Sequence, residues 1–156
     1  MKLTLLTVGK TDVSWVRSGL QLYAARLQHY VRFELKEIPE LKNAGALSED
    51  QIKSREAVLI LREAAGAEMI LLDERGKEFR SIEFANDLQS RMNRGGKDLC
   101  FVVGGAYGFG EEVYEKASGM ISLSKMTFSH QMVRVIFAEQ LYRAFTIIKG
   151  EPYHHE

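Results

Sequence analysis

The chain has 156 residues, 46% of them hydrophobic and 27% charged, with 21 basic and 21 acidic side chains giving a formal net charge of +0, the composition of one ordinary globular domain with a proper core. Balanced charge excludes a general nucleic-acid binder, whose affinity comes from many Lys and Arg contacts to phosphate, but leaves room for a local patch that recognises one folded RNA. No apolar run reaches the roughly 20 residues that cross a bilayer, and a single cysteine excludes an internal disulfide and fits a reducing cytoplasm.

Residues 2–8 alternate and predict a strand, too short an apolar run for a signal peptide. From Asp12 to about His29, apolar residues at Val13, Val16, Leu20, Tyr23, Ala24 and Leu27 keep a helical spacing. Phe33 to Ile38 alternates as a second strand, and residues 40–47 form a polar loop. Ser48 with Gln51 is a capping-box signal for a helix running to about Ala65. A short buried strand, Glu68 to Asp73, meets a turn at Glu74-Arg75-Gly76-Lys77. Ser81 caps a helix to about Asn93, closed by Arg94-Gly95-Gly96. A strand at 98–103, a helix near Glu111–Ala117, a strand at 120–123 and a long helix from about Ser129 to Lys149 complete the pattern. Cys100, inside an apolar strand, reads as an inert core thiol. Strands alternating with helices predict an α/β fold, a mostly parallel sheet with helices on both faces.

The last helix carries more apolar residues than one stripe needs. Met132, Val133, Val135, Ile136, Phe137, Leu141, Tyr142, Phe145, Ile147 and Ile148 spread round it, so part of that surface is expected to bury against a second copy of the chain.

Chemistry concentrates in the last third. Gly104-Gly105-Ala106-Tyr107-Gly108-Phe109-Gly110 follows an apolar strand, and Leu123-Ser124-Lys125-Met126-Thr127-Phe128 precedes the long helix. Glycines at a strand end bare the backbone N–H and C=O groups, and ligands of α/β sheets bind beyond the carboxyl ends of strands. A dinucleotide fingerprint would follow the first strand, with an acidic residue about 20 positions on; these glycines come too late for that. Leu72 offers an apolar wall if its strand lies beside Val103-Gly104, while Asp73 taken alone reads as a solvated turn residue. Taken alone, the Leu123–Phe128 stretch reads as an ordinary loop capping the next helix through Ser129. His130 with Arg134, and Glu139 with Arg143, stand four residues apart; the arginines suit phosphate or carboxylate, and the simpler reading of the second couple is a surface ion pair. In the tail, Tyr153 can stack on a base and His154 can accept a proton near neutral pH, against the simpler reading of a frayed terminus. Adjacent His154 and His155 point opposite ways, and no other Cys/His spacing implies a metal.

Together, Met1-Lys2-Leu3 with Val8-Gly9-Lys10, Leu72-Asp73, Val103-Gly104-Gly105, the run from Leu123 to Arg134, Glu139 to Ala144 and Pro152-Tyr153-His154 resemble the bacterial large-subunit ribosomal RNA pseudouridine N3-methyltransferases of the SPOUT superfamily. The resemblance covers essentially the whole length, apart from the loop at 40–47. It implies an α/β sheet with a C-terminal trefoil knot, which sequence logic would never propose because knots are almost absent from proteins. It further implies a homodimer that uses S-adenosylmethionine and methylates N3 of a pseudouridine in 23S ribosomal RNA of the assembled ribosome, in the cytoplasm, with no metal, no membrane and no separate RNA-binding domain. By motif matching, the cofactor falls at Leu72, Gly104, Leu123, Ser124, Lys125, Met126, Thr127 and Phe128. His154 is the candidate proton acceptor, Tyr153 its orienting partner, Arg134 a further catalytic candidate, and Arg143 and His130 contacts to RNA; the tail of one subunit can complete the other's pocket. The alternatives are a SPOUT-type enzyme acting on another RNA, such as transfer RNA, and a non-catalytic ribosome-assembly factor.

Overall fold

In the computed structural model, which describes Met1–Glu156, five strands lie side by side in the order β2-β1-β4-β3-β5, every neighbouring pair parallel. They are β1 (Lys2–Val8), β2 (Arg32–Ile38), β3 (Glu68–Glu78), β4 (Leu99–Val103) and β5 (Gly119–Ser122). Five α-helices connect or follow them: α1 (Ser14–Leu27), α2 (Glu49–Glu63), α3 (Ser81–Asn93), α4 (Glu111–Lys116) and α5 (Met132–Ile148). The expected architecture is present, and no helix is long and apolar enough to cross a membrane.

Alternation along β4 shows why both faces are covered. Leu99, Phe101 and Val103 join a core with residues of α1, α3 and α5, while Cys100 and Val102 join a second core with residues of α2 and α4. Every residue of β4 is buried, as a central strand with helices above and below requires. Burial pushes the Cys100 thiol up to about 12, so at neutral pH it stays protonated and unreactive.

Local signals hold in several places and shift in others. Ser48 and Gln51 do form a reciprocal capping box on α2. Ser81, expected as a cap, is instead the first residue of α3, and the Glu83 carboxylate accepts the N–H of Arg80 at 2.8 Å. The polar loop at 40–47 contains a short 3₁₀ turn at Ala44–Ala46. The expected turn at 74–77 is an extension of β3, which breaks register after Leu72 and resumes pairing with β5 at Lys77. Gly76 permits this crossing: a Cβ there would stand 2.6 Å from the backbone of Met120 and Ile121. Helix α5 begins later than expected because residues 123–131 are diverted into the site below.

Arg134 fixes that diversion. It is completely buried. Its guanidinium donates to the carbonyls of Val8 and Gly9, each at 3.0 Å, to Thr11 Oγ1 at 2.8 Å and to the His130 carbonyl at 2.9 Å. Glu37 lies 3.5 Å away as its counter-charge. Beside it, Gln131 donates to the Lys10 carbonyl at 3.0 Å and accepts from the N–H of Asp12 at 3.1 Å. The start of α5 is thereby tied to the end of β1. Arg134→Met keeps an unbranched apolar stem and removes every donor, leaving the carbonyls of Val8, Gly9 and His130 without these bonds and Glu37 without its counter-charge. It is expected to lower unfolding stability by about 3–5 kcal/mol in urea titrations, and a loss under about 1 kcal/mol would mean the clamp is not structural.

Candidate active site

Three strand tips enclose one cavity of about 710 Å³, inside the roughly 300–1,000 Å³ usual for small-molecule sites. Leu72 pairs in register with Val103 on one side and Ile121 on the other, so β4 and β5 end level with the point where β3 breaks register. The glycine loop after β4 and the loop after β5 are brought together here: Gly104 to Phe109 forms one wall, and Leu123, Ser124 and Met126 to His130 form another. Gly104 allows the first loop to fold close, since a Cβ would meet the Phe109 ring at 3.2 Å. The second loop is shaped by its own hydroxyls. Ser122 donates to the Ser124 carbonyl at 3.0 Å, Ser124 Oγ accepts from Met126 N–H at 2.9 Å, and Ser129 Oγ accepts from Gln131 N–H at 3.2 Å.

Of the eight expected cofactor positions, seven line this cavity; Lys125 is exposed and outside the wall. His130 lines it too. The other candidates stand elsewhere. Arg134 is enclosed by the clamp, while His130, four residues before it, is exposed. Tyr153, His154 and Arg143 form a separate cluster on the C-terminal half of α5. Tyr153 packs edge-on against Tyr142 at 4.8 Å between centroids and donates to Glu139 at 2.9 Å. Arg143 binds the same carboxylate at 2.6 Å and lies 4.8 Å over the Tyr153 ring. Burial, with hydrogen bonds to Tyr23 and Glu139, pushes the Tyr153 phenol up, so it acts as a donor. Arg143 Nη1 approaches His154 Nδ1 at 3.1 Å; an arginine can only donate, which makes Nδ1 the acceptor and leaves the proton on Nε2. The tail is therefore docked, not frayed.

The cavity also holds residues that the sequence did not single out. Asp73 is not a solvated turn residue: its side chain is only 10% exposed. It accepts from the Tyr114 hydroxyl, from Arg75 N–H at 2.9 Å and from Arg75 Nε at 3.3 Å. The Arg75 guanidinium lies 4.4 Å over the Tyr114 ring, a cation–π contact that holds it at the rim. Burial pushes the Asp73 carboxyl up, but the hydrogen bonds from Tyr114 and Arg75 outweigh it and hold the group below its usual value. No local pattern joins positions 73, 75 and 114; only the parallel pairing and the fold of α4 do.

Comparison with known proteins now becomes decisive. A family model described as "Predicted SPOUT methyltransferase" matches residues 1–154. The chain belongs to the SPOUT methyltransferase family. It is 54% identical to a protein of Christiangramia forsetii over 156 residues, covering 99% of each chain, and 52% identical to one of Flavobacterium johnsoniae over 157 residues, covering 100% of each. Both relatives are named ribosomal RNA large subunit methyltransferase H. Among solved structures, a "probable methyltransferase" from Bordetella pertussis Tohama I aligns with a TM-score of 0.58 at 12% identity, covering 92% of this chain and 95% of that one. A "probable methylase family protein" from Haemophilus influenzae Rd KW20 aligns at 0.56 with 10% identity, covering 99% and 70%. At such identities the likeness is one of fold. Within this SPOUT fold, the three strand tips are the part that makes a site.

The Asp73 network yields a pH-dependent outcome. A carboxyl held low in the folded state contributes stability that is present at neutral pH and is lost as pH falls through its lowered pKa, below the ordinary value of about 3.9. Tyr114→Phe removes one of the bonds that lowers it. Urea unfolding measured against pH is expected to show a smaller acid loss in the variant, beginning near the same pH, which the unfolded carboxyl sets, and ending at higher pH; superimposable acid limbs would contradict the network.

Proposed function

We propose that this chain transfers the methyl group of S-adenosylmethionine to N3 of a pseudouridine in 23S ribosomal RNA, acting on the assembled ribosome. The observation that carries the reading is full-length identity above 50% to proteins named ribosomal RNA large subunit methyltransferase H, combined with a cavity built where the family motifs fall. The residues present suit the donor. Leu72, Val103, Ile121, Leu123 and Phe128 give apolar walls for an adenine ring, and the glycine at 104 leaves backbone open beside them. Asp73 in the wall is paired with Arg75, and the neighbouring Glu74 carboxylate favours a cationic ligand. S-adenosylmethionine supplies a methyl on a sulfonium sulfur, open to in-line attack by the base nitrogen.

The protein's own part is alignment and removal of the N3 proton, and correct alignment alone can contribute several kcal/mol (about 7–11 at best). His154 is the proton acceptor in this proposal, with Tyr153 orienting the base and Arg143 and His130 touching RNA phosphate. In the docked tail, Nδ1 of His154 is engaged by Arg143, so the residue takes up a proton only after the tail shifts from that contact. Arg134 serves by holding the second loop, without touching the base. The tail would reach the cavity of a partner subunit in a homodimer, and the C-terminal segment would thread a loop to make the trefoil knot.

Apolar surface supports the dimer. Helices α1 and α5 cross so closely that a Cβ at Gly19 would stand 2.9 Å from Val135. Trp15 and Leu22, about one turn either side of Gly19, are 58% and 48% exposed, and Met132, a turn before Val135, is 41% exposed. Exposed large apolar side chains on two crossing helices favour an interaction face, and self-association is its simplest use.

Labelled S-adenosylmethionine with intact ribosomes, separated subunits and transfer RNA, all from cells lacking this protein, tests the reading. Label is expected in 23S RNA of intact ribosomes. Label in transfer RNA would favour the other-RNA alternative, and binding of the donor with no labelled RNA would contradict methyl transfer. His154→Ala is expected to lower kcat by about 10²–10⁴-fold; unchanged turnover would remove it as proton acceptor.

A further inference from the structure

Beneath the glycine loop, on the face away from the cavity, lies a carboxyl group that nothing above has used. Glu56 on α2 is only 8% exposed, although its neighbours on the buried face of the helix are Ala57 and Ile60. Its Oε1 is buried without any hydrogen-bond partner. An unpaired buried carboxyl is costly, and a purely structural position would be better filled by leucine.

Its location is specific. A Cβ on Gly105 would stand 2.7 Å from Oε1 and 2.8 Å from Oε2 of Glu56. The carboxyl thus occupies the space that a side chain at position 105 would need, and it abuts the loop backbone directly. Gly105 and Gly108 face each other in an isolated antiparallel bridge, in which the Gly105 carbonyl accepts from Gly108 N–H at 3.1 Å, while the Ala106 N–H makes no backbone hydrogen bond. A buried acceptor without a donor thus lies against the backbone of the loop that lines the cavity, beside the free N–H of Ala106.

We propose that Glu56 is a positioning residue for the methyl donor: when the donor fills the cavity, the Gly105–Ala106 segment settles onto Glu56, and the ionised carboxylate accepts a backbone N–H from that segment. The inference rests on S-adenosylmethionine binding in this cavity. In the free protein, burial raises the Glu56 carboxyl above its usual range, with no charged neighbour acting on it. The titratable groups on the surrounding elements are Lys53 on its own helix, which pairs with Asp50 at 3.7 Å, Cys100 on β4, and Glu111, Glu112, Tyr114, Glu115 and Lys116 on α4. A hydrogen bond to the charged form lowers a carboxyl pKa. Donor binding therefore releases one proton from Glu56, and affinity rises with pH until the carboxyl is ionised in both states.

Calorimetric titration of the full chain with S-adenosylmethionine, in two buffers of different ionisation enthalpy and across mildly acidic pH, measures that proton. The unaltered protein is expected to release up to one proton on binding, and its Kd to fall by up to about tenfold per pH unit while the free carboxyl remains protonated. Glu56→Gln, equal in size and unable to ionise, is expected to bind with no proton release from this site and a flat pH profile. Binding with no proton release, or the same release in both proteins, overturns the proposal while leaving methyl transfer standing. No binding at any pH overturns both.

Discussion

A guanidinium closed inside the protein sets the geometry of everything near the cavity. Arg134 gives its donors to two successive carbonyls at the end of β1, to a threonine hydroxyl and to the carbonyl of His130. A buried arginine is tolerable only when such bonds and a counter-charge compensate its lost hydration. Because one of those carbonyls belongs to His130 and the arginine itself opens α5, the clamp fixes where the loop after β5 must finish. The loop begins at the tip of β5 and has nine residues, 123–131, between the two anchors. That constraint holds it across the mouth of β3 and β4.

With the loop fixed, the site is largely main chain. Parallel pairing aligns the ends of β4 and β5 with the register break of β3 after Leu72, and glycines at 76 and 104 let backbone and rings approach where a methyl group would clash. Side chains add charge and shape at the edge: Asp73, Arg75 and Tyr114 lock one another by hydrogen bonds and stacking. A cavity of this kind suits a flat, polar ligand that is read by main-chain N–H and C=O groups held near their bound positions.

Much of this was legible in the chain. Hydrophobic alternation and helical spacing gave all five strands and five α-helices, and the late glycines pointed to the correct end of the sheet. What stayed hidden was either long-range or locally ambiguous. Residues 74–77 look like a turn because Arg-Gly-Lys is polar; β3 does bulge there, and only its return to Ile121 of β5 at Lys77 makes the segment part of a longer strand. Asp73 looks solvated until Tyr114, 41 positions away, reaches it. Arg134 and Arg143 carry the same side chain on one helix, yet the first is sealed inside the clamp and the second holds the tail. Their difference arises from which face of α5 meets β1, and no spacing rule reports that. The apolar surplus of the last helix was visible in the sequence, and the structure divides it: Val135 meets α1 at Gly19, Val133 lines the cavity, and Ile136 faces Phe84 of α3.

The account depends on the aligned strand tips and the clamped loop being the place where the donor sits. A crystal structure of the protein with S-adenosylmethionine addresses that most directly. The predicted result is the donor within the cavity, its adenosine against Leu72 and Gly104 and its edges met by the backbone of Leu123 to Phe128. Donor bound at any other place on the chain, with the cavity vacant, would contradict the account.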